Sequence, residues 1–117
     1  MTIEEVIENL FDTYGEEFNW WMIPLTQSRG FFVEELKREL GEENAVFQNQ
    51  VYAVARCIAN DDVLYLICDG STGGLWRIYH LTYISDNAPG FPHYKEFTSR
   101  TAVGEFIEEQ FIHKFLR

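Results

Sequence analysis

Between residues 51 and 84 the chain is apolar, aromatic or β-branched almost throughout, and only two groups of turn residues interrupt it. Val51-Tyr52-Ala53-Val54-Ala55-Arg56-Cys57-Ile58 is followed by Asn60-Asp61-Asp62, then Val63-Leu64-Tyr65-Leu66-Ile67-Cys68. Asp69-Gly70-Ser71-Thr72-Gly73-Gly74 then leads into Leu75-Trp76-Arg77-Ile78-Tyr79-His80-Leu81-Thr82-Tyr83-Ile84. Segments of this composition read as strands, and connections this short join only strands that run antiparallel. The sheet pattern begins at about Val46 and predicts a meander of at least three strands.

The flanks carry helical signals. Thr2 and Glu5 form a capping box, and Ile3, Val6, Ile7, Leu10, Phe11 and Tyr14 recur on one face up to Gly15. Ser28-Arg29-Gly30 breaks the chain before a second helix with Phe32, Val33, Leu36 and Leu40 inward and Gly41 beyond its end. Between them, Pro24 argues against a helix through Phe18–Thr26, which is expected to cross the domain as packed irregular chain. Residues 85–92 have loop chemistry. A last helix, opened by Thr98 or Ser99, places Val103, Phe106, Ile107, Phe111 and Phe115 on one face. The expected fold class is α+β: two N-terminal helices, the antiparallel meander, and a C-terminal helix packed on the sheet, as one domain over 1–117.

Hydrophobic residues make up 46% of the chain and aromatics 16%, enough apolar surface to offset the entropy of ordering. No apolar stretch approaches the roughly 20 residues of a membrane span, so no membrane association is expected. The opening Met1-Thr2-Ile3-Glu4-Glu5 has acid and helical periodicity where a secretory leader has a basic region and an apolar run, so a cytoplasmic location is expected. Cys57 and Cys68 lie in strand-like segments without the spacing of a zinc or redox motif and read as buried thiols.

Charge bears most on function. Nineteen acidic against nine basic residues give a net charge of −10, which repels phosphate backbones and disfavours nucleic acid. It suits a basic protein partner as well as it suits simple solubility. Glu4, Glu5, Glu8, Asp12, Glu16 and Glu17 form the densest acidic stretch, and Glu34, Glu35, Glu39, Glu42 and Glu43 the next; these are the expected rim of a partner-binding surface. The aromatic cluster Phe18, Trp20, Trp21 and Met22, with the Phe91-Pro92-His93-Tyr94 loop, reads as core and edge packing, or, where exposed, as an anchor within that rim. The oligomeric state stays open.

Catalytic signals are weak. His80 shares a strand face with Trp76, Ile78, Thr82 and Ile84 and reads as a partly buried structural histidine; a general base is the other reading. His93 and His113 have no spacing that unites them with it as a metal site. Asp61 and Asp62 are first a turn signal, and the glycine-rich loop lacks the Lys and the following helix of a phosphate cradle. No catalytic residue, no cofactor and no metal ligand is therefore expected. The alternative to protein binding is a small-molecule or catalytic pocket built from Trp76, His80, Phe91 and Tyr94 with the Pro89–Tyr94 loop.

Asp61-Asp62-Val63-Leu64-Tyr65, the strand Trp76-Arg77-Ile78-Tyr79-His80-Leu81-Thr82-Tyr83, and Phe91-Pro92 ahead of Phe97-Thr98-Ser99 resemble a pattern of small uncharacterised bacterial proteins, D-D-V-L, H-L-T-aromatic and a closing helix. In its size, acidity and order of elements, the chain is also similar to bacterial immunity proteins, including the SMI1/KNR4-like superfamily. Where that superfamily carries Leu-Pro and Asn-Gly before the sheet, this chain has only Ile23-Pro24 near the first. The resemblance implies a non-enzymatic inhibitor that occupies a basic toxin.

Overall fold

A computed structural model describes residues 1–84 and 90–114. Among them are three α-helices, α1 (Ile3–Tyr14), α2 (Phe31–Leu40) and α3 (Arg100–Lys114), and five strands, β1 (Trp20–Met22), β2 (Gln50–Cys57), β3 (Asp62–Cys68), β4 (Leu75–His80) and β5 (Tyr94–Phe97). The strands form one sheet in the order β1-β2-β3-β4-β5, every neighbour antiparallel. The α+β class and the closing helix on the sheet are as the sequence predicts. Phe115 and Pro89 lie outside the described residues.

The helices cover both faces. On one, Ile7 and Leu10 of α1 and Val103, Ile107 and Phe111 of α3 pack on Trp20, Ala55, Cys57, Leu64, Trp76 and Ile78. On the other, Val33 and Leu36 of α2 pack on Val51, Ala53, Val63, Tyr65, Ile67 and Tyr79. β3 is buried on both faces, which is why Val63–Ile67 has no polar position. β2 owes its unbroken apolar run to a bulge: Ala53 opposes Tyr65 and Ala55 opposes Leu64, so Val54 is an extra residue. It turns Ala53 toward α2 and Ala55 toward α1 and α3, although the two share a sequence parity.

Local signals set the helix ends. The Thr2 N–H donates to Glu5 Oε1 at 2.9 Å and the Glu5 N–H to Thr2 Oγ1 at 3.2 Å. The Ala102 N–H donates to Ser99 Oγ at 3.1 Å and starts α3. Gly104 lets α3 meet α1, since a Cβ there would stand 2.7 Å from Val6 Cγ1. No helix among the described residues is long and apolar enough to cross a membrane.

Four expectations need correction. Trp20–Met22, expected as irregular chain, is an edge strand: a strand of three residues is too short for a periodic pattern to show. Tyr94–Phe97 is the opposite edge strand. Beyond His80 the Leu81 N–H still donates to the Asp61 carbonyl at 3.0 Å, but the following donors are taken from outside the sheet and β4 goes no further: Glu39 Oε1 accepts from the Thr82 N–H at 2.7 Å and Oε2 from the Tyr83 N–H at 3.0 Å. Cys68, at a strand end, is exposed; only Cys57 is a buried thiol, and both are free.

The glycine-rich loop is closely fitted at its end. At Gly74, φ is +74°, and a Cβ would lie 2.7 Å from Leu66 Cδ1 and 3.1 Å from the Ile67 carbonyl oxygen. Gly74→Ala is therefore expected to cost about 2 kcal/mol through backbone strain and contact. Urea unfolding checks this, and a loss below half that value would show that the β3–β4 connection adjusts freely.

Candidate functional site

The acidic α1 and the uncharged edge strand β1 lie side by side and leave a groove of about 440 Å³ between them, lined by Ile7, Glu8, Phe11, Asp12, Trp20, Trp21 and Met22. Ile7 and Trp20 are its buried floor. Phe11 is 43% and Trp21 57% exposed, although helical periodicity assigned Phe11 to the core. Trp21 alternates outward from Trp20 and stands opposite Arg56, whose guanidinium lies 5.4 Å from the centre of the Phe32 ring. Met22 also borders a second groove of about 290 Å³, with Glu4 on its rim and Leu25, 82% exposed, beside it.

The acidic candidates divide by burial. Glu4, Glu8, Asp12, Glu16 and Glu17 are exposed around α1 and its end, as are Glu34, Glu42 and Glu43 farther along. Glu5 is also exposed, but its carboxyl is engaged in the capping box, and the Thr2 backbone N–H and hydroxyl hold it below the usual carboxylate range. Glu34 approaches Lys37 at 3.8 Å.

Glu35 and Glu39 do not belong to a surface rim. They are 8% and 5% exposed, at the margin of the apolar stripe of α2. Glu39 accepts from the N–H and hydroxyl of Thr82, both at 2.7 Å, and from the Tyr83 N–H. Glu35 is ion-paired with Arg38. Burial and a hydrogen bond to Glu39 raise the Glu35 carboxyl above its usual range. At Glu39 burial acts in the same direction, but the bond from Glu35 and the donors of Thr82 and Tyr83 together bring the carboxyl below that range. The pair is thus shifted in opposite directions, Glu35 up and Glu39 down. It keeps Tyr83 at φ +58°, its ring 6.5 Å from that of Phe31.

Trp76, His80, Phe91 and Tyr94 do not form one pocket. Trp76 is 4% exposed on the α1–α3 face. Tyr94 stands across from Tyr79, which packs on the opposite face, and stacks under Arg77 at 4.3 Å. Phe91 meets the edge of His93. His80 is not partly buried: its side chain is 56% exposed, and Nδ1 lies 2.8 Å from Asp62 Oδ1. A carboxylate-oriented imidazole has the form of a general base, but His80 lines none of the grooves of about 710, 440 and 290 Å³. Cys57, nearby on this face, is buried, and burial pushes its thiol up. Among the described residues no group of three or more His, Cys, Asp or Glu is placed to hold a metal ion.

A groove of about 710 Å³ lies between α1 and α3, with Leu10 and Trp76 beneath and Asn9, Thr13, Arg100, Glu105 and Glu108 around it. Tyr14 ties α1 to α3 by donating its hydroxyl to Glu108 at 2.8 Å.

Sequence reasoning named Trp21, Glu8 and Asp12 but could not join them. The missing signal was the in-out alternation of Trp20 and Trp21, legible only once the segment is known to be a strand. Comparison with protein-family models, with curated proteins and with solved structures gave no match.

Proposed function

We propose that this chain is a non-enzymatic binding module that takes a basic protein partner on its acidic α1–β1 surface, as an immunity-type inhibitor would occupy a basic toxin. One observation carries the reading: exposed Trp21 and Phe11 flank an apolar groove whose charged lining is Glu8 and Asp12. A large aromatic in a partly desolvated groove supplies binding energy, and surrounding charge supplies steering and choice of partner. The net charge of −10 extends that steering beyond the contact.

The test uses immobilised basic and acidic proteins as probes, with rates read at low and high salt. Association with basic probes should fall by roughly tenfold or more with salt. Glu8→Lys with Asp12→Lys should slow association by about another order of magnitude. Trp21→Ala should instead speed dissociation by roughly 30-fold. Glu42→Lys with Glu43→Lys, away from the groove, serves as the control. Rates unmoved by the first pair of reversals, or a preference for acidic probes, would remove the reading.

A second reading, small-molecule binding, rests on the α1–α3 groove, whose volume falls in the range of ligand sites. It predicts that fragments perturb the Trp76 indole resonance, with no effect of the Glu8 and Asp12 reversals.

A further inference from the structure

We propose that the partner docks as an extended segment added antiparallel to the free edge of β1, extending the sheet to a sixth strand. This rests on the docking reading above and specifies its backbone chemistry.

The hydrogen-bond parity of β1 leaves alternate groups free. The Ile58 N–H donates to the Asn19 carbonyl at 2.8 Å and the Ile23 N–H to the Val54 carbonyl at 2.9 Å, with Trp21 opposite Arg56 between them. Residues 19, 21 and 23 therefore direct their backbone toward β2, and Trp20 and Met22 direct theirs away from it. Among the described residues, no turn or loop hydrogen bond engages these N–H and C=O groups, and the β1–β2 ladder points away from them. They are the pattern that an added strand completes.

The two sheet edges differ in a way that selects β1. The outer edge of β5 carries Lys95 and Glu96, with Glu96 tied to Arg77 at 2.9 Å, and charge of this kind discourages strand addition. Trp20-Trp21-Met22 has no charge and no proline. Beside it lies the groove of Phe11 and Met22, so alternate side chains of an added strand would enter an apolar slot.

Charge selects the occupant. Glu8 and Asp12 line the same groove, so an incoming strand fits best when Lys or Arg flanks its apolar residues. A second copy of this chain would bring another −10 to the contact and is disfavoured by repulsion.

The probe is a displayed library of random linear peptides selected on the full chain. Enriched peptides are resynthesised with alternate backbone amides N-methylated, in each of the two phases. The expected sequences alternate apolar residues with Lys or Arg. Methylation in one phase should weaken binding by roughly tenfold or more, and in the other phase hardly at all, because only alternate amides face β1. Met22→Pro deletes an N–H that the β1–β2 ladder does not use and should weaken the peptides by a similar factor; if that variant unfolds, the methylated pairs decide alone. Peptides indifferent to both phases would overturn strand addition while leaving docking in place. Enriched sequences without basic residues, peptides indifferent to Trp21→Ala and to the Glu8 and Asp12 reversals, or no enrichment at all would overturn both.

Discussion

A chain that ends at Phe97 is expected not to fold. α3 carries Val103, Ile107 and Phe111, each at most 1% exposed, and they cover Trp20, Leu64, Trp76 and Ile78. Removing a buried phenylalanine side chain alone costs about 3 to 5 kcal/mol, and a domain of this size is stable by only about 5 to 15. Losing all three residues, together with the apolar sheet face left bare, exceeds that margin. Far-UV circular dichroism and urea unfolding of the truncated chain make the check. Phe111→Ala in the full chain provides the graded version, with an expected loss of about 3 to 5 kcal/mol. A truncated chain that still unfolded cooperatively would show that α1 and the sheet form a core without α3.

The elements legible in the sequence are those whose signals are local. The capping box of Thr2 and Glu5, the Ser28-Arg29-Gly30 break and the turn at Asn60 each act within a few residues, and α1, α2 and the β2–β3 hairpin stand where those signals place them. β1 and β5 were missed because each is short and has tertiary pairing in place of pattern; three of the four β5 residues are exposed. The end of β4 is a contest between distant groups. Leu81–Ile84 continues a strand-like composition, but a carboxylate 43 residues earlier takes the Thr82 N–H. The same separation hid Glu35 and Glu39. On α2 they lie beside the stripe of Val33, Leu36 and Leu40, and only the return of the chain at Thr82 and Tyr83 makes a buried carboxylate there affordable.

That carboxyl pair is where the second large effect is expected. Glu39→Gln should lower stability by about 2 to 4 kcal/mol, whereas Glu35→Gln should cost about 1 or less. Glu39 serves as acceptor to Thr82 and Tyr83, and an amide nitrogen in place of one oxygen would face a donor with a donor. The hydrogen bond to Glu39 raises the Glu35 carboxyl by favouring its protonated form, and glutamine can supply the same donor. The pH dependence separates the two roles. Glu39, held below its usual range, contributes stability that is present above that range and lost as pH falls through its lowered value. Glu35, held above its usual range, contributes stability that is present below that range and lost as pH rises through its raised value. The parent chain should therefore gain most from the pair between the two values. Glu35→Gln should remove the decline on the alkaline side, and the penalty of Glu39→Gln should shrink in acid, where the parent's Glu39 is itself neutral. Urea unfolding of the three proteins from acid to mildly alkaline pH reads both effects. Parallel curves, or equal penalties for the two substitutions, would mean that no proton is shared; the left-handed turn at Tyr83, and the setting of its ring beside Phe31, would then depend on packing alone.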